Sequence, residues 1–278
     1  MTNKPAQNEP LTALVEAVQS STKYRGVCGE LIKRIGAQEL GKRRNLKEAI
    51  KATKNKLHQV GGAFLDTEEF SYDAWLERLR LALQTDDQSR LRETCRAMMS
   101  RHASTRERLP LLERFYAEIF ALLPPVHSVL DIACGLHPLA IPWMPLAENA
   151  AYYAYDIYAD MANFLQAWMA MLPVQGLAWS SDVLQSCPTQ RADVAFLLKA
   201  LPCLEQIDAS AGQRLLHDIQ ADYLVVSFPA RSLGGRQKGM VEHYETRFSA
   251  LLAETQRWRV SGRLAFASEL VFVIQRIS

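Results

Sequence analysis

The sequence predicts an α/β protein that carries an all-helical region at its N-terminal end. Three observations predict it. Apolar residues recur at helical spacing up to about residue 123. From residue 126 the pattern changes to short apolar runs alternating with amphipathic segments. The first three of these runs each carry an Asp at or near their end: Asp131, Asp156 and Asp182.

In the helical half, Leu11, Leu14, Val15 and Val18 lie on one face, as do Leu46, Ile50 and Leu57. Gly26, Gly29, Gly36 and Gly41 punctuate this stretch, so residues 11–58 form several short helices rather than one long helix. Gly61-Gly62 reads as a break. Residues 71–123 are helical again, with Trp75, Leu79, Leu81 and Leu83, then Met98, then Leu111, Leu112, Phe115, Ile119 and Phe120. Pro110 suits an early helical position, and Pro124-Pro125 ends the helical half.

Strands are expected at residues 126–133, 151–156, 177–182, 192–198 and 223–228, with one or two more within 264–275. Helical segments lie between them, for example 159–171 and 212–220. Strands alternating with helices imply a mostly parallel sheet covered on both faces. Two parts follow: an all-helical, basic region over residues 1–105, and an α/β domain over 106–278 with a helix at 110–122 packing at its start.

Composition narrows the class. Hydrophobic residues are 49% of the 278, enough for a full core. No apolar run reaches the roughly 18 residues of a membrane span, and the polar N-terminus lacks a signal-peptide core. Five cysteines, an odd number without CxxC spacing, argue against a disulfide framework or zinc site and fit a reducing cytoplasm. The net charge of +2 conceals an asymmetry: residues 1–60 hold twelve Lys/Arg against five acids, a net of +7, and the rest carries −5. A basic segment on a mildly acidic body suits a polyanion such as RNA or DNA; a solvated helical surface is the plainer alternative.

In an open α/β sheet, ligands bind at the carboxyl ends of the strands. There Val129-Leu130-Asp131-Ile132-Ala133-Cys134-Gly135 reads as a strand and tight turn, and Gly135 lets the backbone approach a ligand without a Cβ clash. Asp131 orients the turn or binds the ammonium of an amino-acid moiety. Leu136-His137-Pro138 follows in place of a second glycine, a poor match to a pyrophosphate-binding loop. Asp156, 21 residues after Gly135, is placed to accept from both ribose hydroxyls. Asp182 is placed to accept from an adenine amino group, with Val183 covering the ring. A nucleoside ligand with an amino-acid end and no phosphate is S-adenosylmethionine. The fold class is then a Rossmann-like S-adenosylmethionine-dependent methyltransferase sheet with an all-helical N-terminal domain.

Beyond the fourth strand lies Leu198-Lys199-Ala200-Leu201-Pro202-Cys203-Leu204-Glu205, where such enzymes face the methyl acceptor. The Asn/Asp-Pro-Pro-aromatic signature of exocyclic-amine acceptors is absent. Cys203 is read as a small buried thiol in preference to a nucleophile. Lys199 and Glu205 are charged groups flanking the expected pocket, or surface residues.

These strings carry a family resemblance. The matching segments include Lys54-x-Lys56-Leu57-His58-x-x-Gly61-x-Ala63-Phe64, Ser104-Thr105-Arg106-Glu107-Arg108-Leu109-Pro110, Asp131-x-Ala133-Cys134-Gly135, Leu201-Pro202-Cys203-Leu204-Glu205 and Phe228-Pro229-x-x-Ser232-Leu233-Gly234-x-Arg236-x-Lys238. On them, and over nearly the whole chain beyond its first twenty residues, the sequence resembles the aminoglycoside-resistance 16S rRNA (guanine-N7) methyltransferases of antibiotic-producing actinomycetes and of pathogens. The resemblance implies methyl transfer from S-adenosylmethionine to N7 of guanine 1405, with the assembled 30S subunit as substrate; a monomer is expected. It implies a cofactor shell of Phe64, His102, Ala103, Ser104, Arg108 (toward the cofactor carboxylate), Ala133, Asp156, Asp182, Val183 and Leu198. It departs at His137, where some relatives carry Asn.

Guanine N7 has an in-plane lone pair and no proton, so it can attack in line without a general base. The sequence accordingly offers no base dyad, and catalysis rests on alignment. The base must leave its stack, and Tyr244 or an apolar wall near Pro202 could hold it. Glu205 is a candidate to read the guanine edge or to pair with Lys199, and Lys199 to offset phosphate charge. Lys42, Arg43, Arg44 and Lys54, with Arg236 and Lys238 in a Gly-rich loop, are candidates to neutralise rRNA phosphates. A methyltransferase for another rRNA atom such as adenine N1, and a non-catalytic 30S-binding factor, are the alternatives.

Overall fold

The computed structural model describes residues 9–62, 64, 71–85, 87–230 and 239–277. Helices α1 (Glu9–Gln19), α2 (Gly29–Leu40), α3 (Leu46–Leu57), α4 (Tyr72–Leu83), α5 (Gln88–Met99), α6 (Ala103–Arg106) and α7 (Leu112–Phe120) precede the sheet. Their starts follow local chemistry. The Asn45 side chain accepts from the Glu48 amide at 2.9 Å and donates to the Glu48 carboxylate at 3.2 Å, a reciprocal cap for α3. Ser71 caps α4 and Asp87 caps α5 in the same way, through backbone N–H groups that a helix leaves unsatisfied.

The expected break at Gly61-Gly62 is instead a widened helical turn, His58–Gly62, that continues α3. The glycines answer a close approach. A Cβ on Gly61 would lie 2.7 Å from Ile157 Cδ1 and 2.9 Å from the Tyr158 hydroxyl.

The α/β half runs β1 (Val126–Ile132), β2 (Leu146–Asp156), α8 (Ala159–Met169), β3 (Gln175–Ser180), β4 (Ala192–Leu198), α9 (Leu201–Ile207), α10 (Ala211–Asp218), β5 (Ala221–Pro229), α11 (Met240–Thr255), β6 (Trp258–Ala265) and β7 (Glu269–Arg276). Among the described residues these strands form one sheet in the order β3-β2-β1-β4-β5-β7-β6. β1 to β5 are parallel; β7 is antiparallel to both β5 and β6. The order reverses between β1 and β4, which opens a crevice at their carboxyl ends. β3 ends two residues before Asp182, so that acid sits in the following turn rather than on the strand, accepting from the Leu184 amide at 3.1 Å. The last segment holds two strands, and β6 starts at Trp258, ahead of the expected window.

Strand alternation divides the core. Val194, Phe196 and Leu198 of β4 face one cluster, and Ala195 and Leu197 the other. α9, α10 and α11 cover the second face through Leu201, Leu204, Leu215, Leu216 and Phe248. The first face is covered by α7 and α8 and is continuous with the buried residues of α1 to α5. The helical N-terminal half therefore shares a core with the sheet. The expected boundary at 105/106 falls inside α6. A short antiparallel bridge reinforces the join: Cys28 N donates to Ile157 O at 2.8 Å and Ala159 N to Gly26 O at 2.7 Å, with Val27 opposite Tyr158.

Candidate functional site

A pocket opens at the carboxyl ends of β1, β2 and β4, where an open α/β sheet binds its ligands. Its walls include Phe64, His102, Ser104, Ala133, Asp156, Asp182, Val183, Leu198 and Lys199, so the structure gathers most of the expected site residues. Leu31, Val60, Gly61 and Tyr158 also line it, and sequence reasoning did not select them. The first three come from the helical half, whose approach to the sheet no local pattern announces.

The turn after β1 is built by strained backbone. Ala133 and Gly135 both take φ of 52°, the left-handed region. A Cβ on Gly135 would lie 2.9 Å from the His102 ring, so the imidazole packs directly on the bare glycine. The Gly135 amide donates to Asp156 Oδ2 at 2.8 Å. Asp156 Oδ1 accepts from the amides of Ile157 at 2.7 Å and Tyr158 at 3.3 Å. Burial pushes the Asp156 carboxyl up to about 6, even against these amides, which favour its charged form. Burial, followed by the positive charges of Arg108, Lys199 and Arg106, pushes the His102 imidazole down to about 4, so it is neutral at pH 7. Ala103 lies outside the lining, and its amide donates to the carbonyl oxygen of the lining residue Phe64 at 2.8 Å.

Asp131 resolves toward the turn-orienting role. It is buried, and its Oδ2 accepts from the Tyr152 hydroxyl and pairs with His137 Nδ1, each at 2.8 Å. His137 thus stands where it braces the turn, stacked on Tyr116 with ring centroids 5.9 Å apart.

Arg108 is wholly buried and forks onto Glu269, at 2.6 and 3.0 Å, so its guanidinium faces a carboxylate of β7 and does not line the pocket. The Ser227 hydroxyl also donates to Glu269. Burial opposes the Glu269 charge, but Arg108, Lys199 and Ser227 together hold its carboxyl below the usual range. Lys199 joins this network, 2.7 Å from Glu107 and 3.5 Å from Glu269, on a left-handed backbone of φ 56°.

Of the two roles left open for Glu205, the pairing with Lys199 is not formed. Glu205 turns away to Arg247 at 2.7 Å and does not line the pocket, because α9 carries it round to face α11. Tyr244 stacks on Phe228, with centroids 5.0 Å apart, rather than standing open. Cys203 lines the pocket with its thiol pushed by burial up to about 11, in keeping with a neutral thiol.

Of the basic candidates, Lys42 and Arg44 are exposed after α2. Arg43 pairs with the buried Glu39 at 2.9 Å, and Lys54 donates to the Ser21 hydroxyl at 2.8 Å. Arg236 and Lys238 lie outside the described residues.

Strand order, the reversal between β1 and β4, and the acid-bearing strand ends together define a methyltransferase of the Rossmann-like, S-adenosylmethionine-dependent class. The family model described as "Ribosomal RNA methyltransferase (FmrO)" matches residues 20–273, and the chain belongs to that family. It is 36% identical over 272 residues to the "16S rRNA (guanine(1405)-N(7))-methyltransferase" of Micromonospora echinospora, covering 98% of each chain. Its fold is similar to the 16S rRNA methyltransferase RmtF solved with S-adenosyl-L-homocysteine, with a TM-score of 0.81, 30% identity and coverage of 97% of this chain and 99% of that one. The 16S rRNA methylase RmtB is similar too, with a TM-score of 0.77, 26% identity and coverage of 96% and 98%.

Proposed function

We propose that this protein methylates N7 of guanine 1405 of 16S rRNA in the 30S subunit, using S-adenosylmethionine, as a cytoplasmic monomer, and that the modification gives aminoglycoside resistance. The observation that carries this reading is a pocket running from Asp156 and Asp182 to Lys199 and Cys203, in a chain similar throughout its length to guanine-N7 enzymes.

The pocket's residues fit the cofactor. Two buried carboxylates, Asp156 and Asp182, would repel a pyrophosphate but accept from ribose hydroxyls and an adenine amino group. Val183, Leu198 and Phe64 supply apolar walls for the ring. When bound, S-adenosylmethionine supplies an electrophilic methyl group on a sulfonium.

The chain's own task is alignment. Guanine N7 loses no proton on methylation, and the pocket wall near Lys199 offers a cation held by two carboxylates and a His102 imidazole that burial makes only a weak base. Lys199, pinned by Glu107 and Glu269, fixes the loop after β4 beside which the base enters. Lys42, Arg43, Arg44 and Lys54, with Arg236 and Lys238, engage rRNA phosphates and hold the 30S particle in register.

Nucleotide mapping on 30S subunits treated with the protein and S-adenosylmethionine tests the reading. Modification at guanine 1405 is expected, with resistance to gentamicin-type drugs and retained apramycin sensitivity in expressing cells. Modification at an adenine N1, or none, would overturn it.

A further inference from the structure

Asp182 sits in the turn after β3, yet the group that orients it comes from the N-terminal helices. Arg34 of α2, 148 residues away in sequence, forks onto the carboxylate: Nε to Oδ2 at 2.6 Å and Nη2 to Oδ1 at 2.9 Å. The Asp182 side chain is 3% exposed and that of Arg34 19%. Oδ1 also accepts from the Leu184 amide at 3.1 Å.

A carboxylate has about four acceptor positions, two on each oxygen. Arg34 and Leu184 occupy both on Oδ1 and one on Oδ2. A single acceptor position remains, on Oδ2. Asp182 lines the pocket beside Val183. The planar fork also prevents the carboxylate from rotating. We infer that Arg34 is a positioning residue for purine recognition: by clamping Asp182 it leaves one fixed acceptor, which takes a 6-amino group and rejects a 6-oxo group. The inference rests on the cofactor reading above and assigns to α2 a part in choosing the base of the cofactor.

The physical consequence is a matter of specificity. A fixed acceptor set against the 6-oxo group of an inosine analogue leaves two acceptors facing one another without a proton between them, and both are desolvated. Without the clamp, the carboxylate can turn aside, and the penalty falls. A lysine at the same place supplies charge without the two-point fork and restores only part of the discrimination.

The test is calorimetric binding of S-adenosyl-L-homocysteine and S-inosyl-L-homocysteine to the whole chain and to Arg34→Met, Arg34→Gln and Arg34→Lys. The parent chain is expected to prefer the adenosyl compound by at least about 100-fold. Arg34→Met is expected to reduce the ratio to about tenfold or less, with Arg34→Lys between. The ratio is insensitive to the fraction of protein folded, because both ligands compete for the same native molecules. If Arg34→Met does not fold, Arg34→Gln and Arg34→Lys carry the comparison. A ratio unchanged by substitution, or a parent chain that does not discriminate, overturns the role of Arg34 alone. A parent chain that does not bind S-adenosyl-L-homocysteine overturns the cofactor reading and this assignment with it.

Discussion

The Gly135 amide donates to Asp156 Oδ2 at 2.8 Å, tying the turn after β1 to the end of β2 across 21 residues of sequence. This bond sets the shape of that end of the pocket, because it fixes both the only glycine of the turn and the acid proposed to accept from the ribose.

Gly135→Ala should disable cofactor binding. The residue sits at φ 52°, where an L side chain costs about 1–2 kcal/mol, and its Cβ would lie 2.9 Å from the His102 ring. The expected outcome is a dissociation constant for S-adenosyl-L-homocysteine at least about tenfold higher by calorimetry, with the far-UV spectrum retained. Unchanged affinity would show that the turn is not part of the site.

Cofactor binding should weaken in acid. In the proposed site the ribose hydroxyls bind best to a charged Asp156, whose carboxyl burial pushes up to about 6. At pH 5 the affinity should be about tenfold below that at pH 7.5, with a proton released on binding near pH 6. For the ligand-free protein the sign is opposite: the folded value stands above the unfolded one, so this group's contribution to stability falls as pH rises from about 4 to 6. A flat affinity profile, or proton uptake on binding, would refute the assignment.

Breaking the buried pair of Arg108 and Glu269 should be costly to the fold. Arg108→Met takes the bidentate partner from a carboxylate that is inaccessible to water and leaves it only Lys199 and Ser227, and the expected loss is about 3 kcal/mol by denaturant titration. Adding Glu269→Gln to that variant should recover much of it. Because the folded value of Glu269 is depressed, the pair's contribution is present above about pH 4.5 and is lost as pH falls through that depressed value. Additive losses in the double variant would contradict a direct coupling.

Reversing charge at Lys42 and Arg44 should act on the ribosome and not on the cofactor. Lys42→Glu with Arg44→Glu should raise KM for 30S and flatten its salt dependence by about one unit of slope per lost phosphate contact. Affinity for S-adenosyl-L-homocysteine should be unaltered. Equal losses of both would place these residues elsewhere.

By itself the sequence determined the strand–helix alternation, the positions of Asp156 and Asp182, and the basic stretch around Lys42 to Arg44. These are written in short-range patterns: side-chain period, turn residues and charge spacing. The family strings then carried the chemistry, because Ser104 to Pro110 and Leu201 to Glu205 are specific in a way that a strand-ending Asp is not. Tertiary structure decided what depends on contacts between distant segments. Arg34 reaches Asp182 across 148 residues and Arg108 reaches Glu269 across 161. Such pairs leave no periodic trace, since nothing in either local segment requires the other. The same reason explains Glu205: its place in a family string marked it for the pocket, and the orientation of α9 gave it to Arg247 instead. It also explains why Gly61-Gly62, a break by local rule, is a turn shaped by Ile157 and Tyr158 of the sheet.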